Sequence, residues 1–245
     1  MLALTQAMRA KGHDVSVLSA DSPGEKMFAD RTFPRIAPTS PLKFFHHLFY
    51  FRSFRALRKT IREFRPDIVH FHTMGDCSPS VLFALSGTPA VLTVHGPEEY
   101  TKTLLPWYLA SSDFRKPYEL SSLTFIGRLH YMFYRYPQRL IYRLGFRNLS
   151  RVIAPSKYIA KEIAEDIPVP IRQIYNGIPL PEVQPMGSEP VALYVGRLKE
   201  VKGVAYAFRA FAIVAKQVPT ARLIVVGDGV ERTHLAGLAK ELGTE

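Results

Sequence analysis

The sequence has 245 residues, of which 47% are hydrophobic and 22% charged, a composition typical of a globular protein with a substantial core. The single cysteine, Cys77, excludes a disulfide framework and suits a reducing cytoplasm, and no apolar run is long enough to span a membrane. The net charge of +11 indicates an anionic partner, and charge alone leaves a nucleotide sugar, an anionic lipid and a nucleic acid open.

The first predicted elements are a helix and a strand. Apolar residues recur at helical spacing from the start of the sequence, and Gly12 is expected to end this helix. Val15–Leu18 is predicted as a strand. Five prolines and glycines between Ser22 and Pro41 predict a loop with a short strand.

A long helix is predicted from Leu42 to Arg65. Its apolar face comprises Phe54, Leu57, Ile61 and Phe64, and its opposite face comprises Arg52, Arg55, Lys59 and Arg62. This division favours a helix that packs on the core and exposes its basic face to solvent. The functional alternative is a basic amphipathic helix on a membrane surface.

Histidines mark the next two predicted strands. His70 and His72 lie two apart in the strand Ile68–His72, and therefore on one side of it. No cysteine or carboxylate cluster accompanies them, which favours structural histidines over a zinc site. His95 follows the strand Ala90–Val94, at an end where a site residue would stand. A histidine paired with a loop carbonyl explains this position equally well.

The stretch Pro97–Asn148 is the least regular, because aromatic side chains alternate with arginines throughout it. Such a pattern can stack on bases, lie at a lipid interface or pack internally. We favour packing with partial interface contact. Nucleic acid is the weaker option, because no known RNA- or DNA-binding motif accompanies the charge.

A strand, a capped helix and another strand complete this half. Arg151–Ala154 is the first strand, Ser156 is expected to cap the helix 157–166, and Ile171–Tyr175 is the second strand. The prolines between Pro179 and Pro190 predict an interdomain linker, with the boundary near Leu180.

The last quarter predicts a strand–helix–strand–helix unit. Its strands are Val191–Val195 and Leu223–Val226, and its helices are 203–218 and 230–242. Two apolar strands joined by a helix imply a parallel pair, and ligands of such sheets bind beyond the carboxyl ends of the strands.

The two loops at those ends indicate a phosphate-bearing ligand. Glycines allow a ligand close to the backbone, a helix start favours an anion, and Arg197 and Lys202 add positive charge. The P-loop pattern fails at Val204, where its lysine should stand, and the dinucleotide pattern fails at Arg232, where its third glycine should stand. Each loop in isolation is more often a plain turn.

Taken together, these segments resemble the donor domain of glycosyltransferase family 4, the group 1 retaining enzymes of the GT-B fold. The donor-side segments are Tyr194–Leu198, Lys202–Gly203 and Leu223–Gly229, and the upstream segments, in family order, are Pro66–His72, Leu92–Gly96, Val152–Ser156 and Tyr175–Ile178. The resemblance implies an α/β fold with two Rossmann-like domains. Residues 1–180 form the acceptor side, 181–190 the linker and 191–245 an incomplete donor side.

The resemblance also implies a function. A retaining glycosyltransferase would move a sugar from a nucleotide-diphosphate sugar to a glycan or lipid-linked acceptor, without a metal or other cofactor. His95 matches the histidine that contacts the transferring sugar, and Arg197 and Lys202 match the cations that neutralise the leaving diphosphate. The expected donor-binding residues are Gly196, Gly203, Gly227, Asp228 and Gly229. The expected location is the cytoplasm, at the inner face of an anionic membrane, with no nucleic-acid partner.

Two features of the family pattern are missing. The first strand with its glycine-rich turn is absent, and so is the E-x(7)-E motif, because Glu231 and Glu241 have another spacing and Glu245 is the last residue. We therefore expect a truncated chain that transfers no sugar by itself and is less stable than its size suggests. The alternative function is a non-catalytic fragment or binding module derived from such an enzyme.

Overall fold

The computed structural model describes residues 2–19, 29–34, 36, 43–72, 74, 77–96, 125–178, 180, 182 and 187–244. The predicted α/β class with parallel sheets is confirmed. The described residues up to Leu180 form one compact unit, and those from Glu182 form a second. The assignment of these units to an acceptor and a donor side stays a prediction. Residues 97–124 of the arginine-rich stretch lie outside the described residues.

The first unit alternates helices and strands along most of its length. Its elements are α1 Leu2–Ala10, β1 Leu18–Ser19, β2 Arg31–Thr32, α2 Lys43–Leu48, α3 Phe51–Phe64, β3 Val69–His72, α4 Ser80–Phe83, β4 Ala90–Thr93, α5 Phe125–Phe133, a π-helical segment Tyr134–Gln138, α6 Arg139–Phe146, β5 Arg151–Ala154, α7 Lys157–Ile163 and β6 Ile171–Gln173. Gly12 has a φ of 85°, the left-handed conformation expected just after a helix end.

The main sheet of this unit has the order β3-β4-β5-β6, with every neighbouring pair parallel. Leu92 and Val152, one from each central strand, are fully buried, and Tyr142 of α6 packs into the same core. At Gly145, an added Cβ would lie 2.9 Å from Leu82 Cβ, so the missing side chain lets α6 approach α4 closely.

The prediction of one helix from Leu42 to Arg65 is wrong, because Tyr50 divides it into α2 and α3. Tyr50 is extended, and its amide donates to the buried Ser78 Oγ at 3.0 Å rather than to a carbonyl one turn earlier. The hydroxyl of Ser80 donates to the Tyr50 carbonyl at 2.9 Å. The predicted apolar face of α3 is confirmed, since Leu57 and Ile61 are buried.

The predicted strand Val15–Leu18 is also wrong, since β1 comprises only Leu18 and Ser19, paired in parallel with β2. The Val17 amide donates to Asp30 Oδ2 at 2.7 Å, and the Val17 carbonyl accepts from the Asp30 amide at 2.9 Å. These bonds occupy the backbone that a longer ladder would use. The same amide donation lowers the pKa of Asp30.

The second unit contains β7 Val191–Val195, a 3₁₀ turn Glu200–Lys202, α8 Val204–Gln217, β8 Arg222–Val226 and α9 Arg232–Leu242. The strands pair in parallel, as predicted, with Val191 opposite Arg222 and Val195 opposite Val226. Side chains from α8 and α9 pack with Tyr194 and Val225 on one face of this sheet. The other face carries Leu193 and Val195, which are 64% and 68% exposed.

Candidate functional site

Three histidines meet at the carboxyl edge of the first sheet. The register of β3 and β4 pairs His72 with Thr93, and His95 follows Thr93 by two residues. His72 Nδ1 lies 3.0 Å from His95 Nε2, and His70 Nε2 lies 2.8 Å from Thr93 Oγ1. The centres of the His70 and His72 rings are 4.0 Å apart. The structure therefore places His95 where ligands of parallel sheets bind.

These imidazoles are held in the neutral form at neutral pH. Burial, and then the neighbouring histidines, lower the pKa of His72 to about 3. Partial desolvation also lowers the pKa values of His70 and His95, although both residues keep an exposed surface, and His95 adds to the effect on His70. A neutral imidazole donates through one nitrogen and accepts through the other. Within the described ranges, no group of three or more histidine, cysteine or carboxylate side chains is arranged to hold a metal ion.

The two glycine loops of the second unit pack directly against each other. The Gly196 amide donates to the Val226 carbonyl at 3.0 Å, and the Leu198 amide donates to the Asp228 carbonyl at 2.9 Å. A Cβ at position 227 would lie 1.9 Å from the Gly196 carbonyl oxygen. A Cβ at Gly229 would lie 2.2 Å from the Leu198 carbonyl oxygen. Backbone approach between the loops is therefore enough to require both glycines, whatever ligand they face.

The predicted cations lie beside these loops. Arg197 and Lys202 are exposed, and neither pairs with a carboxylate of residues 187–244. Gly203, with a φ of 66°, lies between the 3₁₀ turn and α8, and it caps the end of the one and the start of the other. Asp228 Oδ1 accepts from the Gly229 amide at 2.8 Å, so this carboxylate stabilises its own loop.

A groove of about 360 Å³ opens beside the start of α8. Gly203 lines it together with Arg209 and His234, whereas Arg197 and Lys202 lie outside it. The structure thus brings the predicted donor-side residues to one end of one sheet. It places His95 in the other unit.

Sequence reasoning missed His72 as the partner of His95. It placed His70 and His72 on one side of a strand, but treated them apart from His95. The sequence did contain a signal for this pair, because β3 and β4 both end with polar residues and are parallel neighbours. The register, which brings His72 beside Thr93, was needed to recognise the pair.

Two family models match the chain, and together they span it. Residues 1–181 match the model described as Glycosyltransferase Family 4, and residues 181–245 match the model described as Glycosyl transferases group 1. No curated protein matches the chain significantly.

Solved structures resemble the chain at low identity. A mutant of S. aureus TarM, in complex with fondaparinux, alpha-GlcNAc-glycerol and UDP, aligns with a TM-score of 0.48 and 10% identity over 79% of this chain and 35% of its own. Another TarM structure aligns with a TM-score of 0.49 and 9% identity, over 78% of this chain and 34% of its own. A Listeria monocytogenes protein described as a UDP-N-acetylglucosamine 2-epimerase aligns with a TM-score of 0.47 and 12% identity. The alignment covers 89% of this chain and 53% of that protein. The chain thus spans about a third of TarM and about half of the epimerase.

Proposed function

The chain belongs to glycosyltransferase family 4, the group 1 glycosyltransferases. We propose that it serves retaining sugar transfer from a nucleotide-diphosphate sugar to a glycan or lipid-linked acceptor. The observation that carries the proposal is the pair of exposed cations, Arg197 and Lys202, beside the loops at the carboxyl ends of β7 and β8. The donor's diphosphate is the group we assign to this end of the sheet. Its base, its sugar and the acceptor stay unassigned.

Electrostatics explains the assignment. Negative charge grows on the nucleoside diphosphate as the glycosidic bond breaks, and preorganised cations stabilise that charge in the transition state. Arg197 and Lys202 have no carboxylate partner among residues 187–244, so their charge is available to an anion. The 14-residue helix α8 begins directly after Gly203, and its first amides add partial positive charge. In this proposal the two side chains take the role of a metal ion.

His95 has the acceptor-side role in the proposal. Its ring is neutral near pH 7 because partial desolvation lowers its pKa, so it contacts a sugar hydroxyl through a hydrogen bond rather than through a charge. The predicted donor-binding residues are proposed to border the nucleotide pocket. They are Gly196, Gly203, Gly227, Asp228 and Gly229.

Donor titration tests the assignment. Calorimetry with uridine and guanosine diphosphate sugars should show binding to the chain, and Arg197→Ala or Lys202→Ala should weaken it without lowering the melting temperature. In any active enzyme that contains this sequence, each change should slow transfer by about 10²- to 10³-fold, or about 3 kcal/mol.

Arg222→Ala is the matched control, because Arg222 begins β8 at the opposite end of the strand and pairs with Glu189. Equal donor affinity in the Arg197, Lys202 and Arg222 variants would overturn the phosphate assignment. Donor binding by this chain without turnover would favour the alternative of a binding module derived from the family.

We also propose peripheral contact with an anionic membrane, at its cytoplasmic face. In the first unit, α5, the π-helical segment and α6 follow one another without a break from Phe125 to Phe146, and together they expose an apolar stripe. Its members are Phe125, Leu129, Met132, Tyr136, Leu140 and Leu144. Pro137 lacks an amide donor, which explains the wide π-helical turn around it. That turn takes up an extra residue, so Leu140 and Leu144 continue the stripe on the same face.

Charge favours an anionic lipid surface for this stripe. No aspartate or glutamate occurs from 125 to 150, and Arg128, Arg143 and Arg147 are exposed. Apolar residues flanked by arginines are typical of a helix that lies in a membrane interface. In the described part of the chain, no helix combines the length and apolar character that crossing a bilayer requires.

Vesicle sedimentation tests this contact. The chain should bind vesicles that contain phosphatidylglycerol and not vesicles of phosphatidylcholine alone, and added salt should weaken the binding. Leu129→Asp with Leu140→Asp should release the chain. Leu193→Asp should not, although Leu193 of the second unit is at least as exposed as those two leucines. Equal binding to both vesicles, or tighter binding of RNA than of anionic vesicles, would contradict the proposal.

A further inference from the structure

We propose that His72 is a positioning residue, which accepts a hydrogen bond from His95 Nε2 and so leaves His95 Nδ1 unprotonated as the acceptor that faces a ligand hydroxyl. The ligand role rests on the proposed function. The tautomer of His95 does not, and it can be measured in the absence of any transfer reaction.

The two rings meet head-on. His72 Nδ1 and His95 Nε2 are 3.0 Å apart, the ring centres are 5.3 Å apart, and the ring planes differ by 18°. The distance between the centres equals the distance between the nitrogens plus one ring radius on each side. Both nitrogens and both centres therefore lie near one line, which is the alignment that an N–H···N hydrogen bond prefers.

The strands fix the orientation of His72. Its ring centre lies 4.0 Å from that of His70, and His70 Nε2 is held 2.8 Å from Thr93 Oγ1 of the neighbouring strand. Both His70 and His72 belong to β3, and Thr93 belongs to β4. His95 lies beyond the end of β4, so its ring takes its orientation from a partner that is better held.

The number of protons on the two rings sets the direction of the hydrogen bond between His72 and His95. The lowered pKa values keep both rings neutral, so a single proton lies between them. If His95 Nε2–H donates, both rings carry their proton on Nε2, the tautomer that a histidine side chain prefers in water. If His72 Nδ1–H donates instead, both rings must carry the less favoured Nδ1 proton. The first arrangement costs less, and it commits His95 to accept through Nδ1.

Long-range ¹⁵N–¹H spectra of the imidazole rings test this directly in the whole chain at pH 7. His95, assigned with a His95→Gln variant, should show a protonated Nε2 and an unprotonated Nδ1. In His72→Leu the two nitrogens should move toward an average, because the tautomers then exchange. In His72→Asn, an amide oxygen can occupy the place of Nδ1 and accept the bond, which should restore the wild-type pattern.

Each result decides the proposal. A protonated Nδ1 on His95 in the wild type, or an unchanged His95 spectrum in His72→Leu, would overturn it. His72→Asn guards against a merely structural effect, because a fold defect would not be repaired in the tautomer of one ring. In any active enzyme that contains this sequence, His72→Leu should lower kcat about tenfold with little change in KM, and His72→Asn should recover it. If no protein of this sequence transfers sugar, the spectra still settle the role of His72.

Discussion

The main sheet of the first unit and the sheet of the second unit are built from similar apolar strands, yet they differ in burial. Leu92 and Val152 in the first sheet are 0% exposed, whereas Leu193 and Val195 in the second are 64% and 68% exposed. Helices α4, α6 and α7 contribute side chains to the core around the first sheet. In the second unit, α8 and α9 both pack on one face.

Strand composition therefore predicts pairing but not burial. An apolar run forms a parallel strand in both units, because its side chains favour the extended backbone and its neighbour satisfies the ladder. Burial then depends on how many layers cover the sheet, which a run of residues does not encode. Changing matched residues in the two units tests this difference. Hydrogen-exchange mass spectrometry can report the stability of each unit separately.

The largest contrast is expected between two ion pairs. Arg139 and Asp166 are joined at 2.6 Å, with the Asp166 side chain 1% exposed, whereas Arg222 and Glu189 pair on the surface. Asp166→Ala leaves the half-buried Arg139 without its carboxylate partner, and should lower the free energy of unfolding by about 3 kcal/mol. Glu189→Ala should cost at most about 1 kcal/mol. Similar costs for the two changes would mean that the surface pair is buried in solution.

A contrast of comparable size is expected between two leucines. Leu92→Ala empties a fully buried site, and should cost about 2–5 kcal/mol. Leu193→Ala removes the same atoms from the exposed sheet face, and should change stability by about 0.5 kcal/mol or less. Protection of β4 and β7 amides measures each effect. A large loss from Leu193→Ala would show that another surface covers this face in solution.

The smallest effect concerns pH and belongs to the first unit. His72 has a folded pKa of about 3, below its ordinary value of 6.5, so the unfolded chain takes up its proton first as pH falls. The stability that the neutral ring provides is therefore present above pH 6.5 and is lost progressively toward pH 3. The urea midpoint should fall between pH 7 and pH 5, and it should fall less in His72→Asn. An equal fall in both proteins would contradict the shifted pKa.

Local sequence patterns predicted most of the elements. Val191–Val195 and Arg151–Ala154 form as strands, and the Ser156 cap forms with its hydroxyl accepting from the Ile159 amide at 3.1 Å. These features depend on residues a few positions apart. The break at Tyr50 could not be predicted in this way, because the Ser78 hydroxyl that accepts from its amide lies 28 residues along the chain.

In the candidate site, too, some residues could be recognised from the sequence, whereas the contacts between elements could not. Gly203 and the loop glycines are visible as a pattern, and so is His95 at a strand end. The bond from His72 to His95 depends on strand register, which follows from packing between elements rather than from either strand. The contact of the Gly196 and Gly227 backbones likewise joins residues that only the folded sheet brings together.

Because the two loops pack against each other, the presence of Gly227 and Gly229 in a related sequence indicates the fold and not the activity. The backbone of 196–198 occupies the space that a Cβ would need at Gly227 and Gly229, so a lineage that lost transfer would keep both glycines while it kept the fold. Arg197 and Lys202 are exposed, and folding does not protect them in this way. A relative with both glycines and neither cation would then be a folded descendant without activity. In a survey of such sequences, the cations rather than the glycines should separate working enzymes from silent ones.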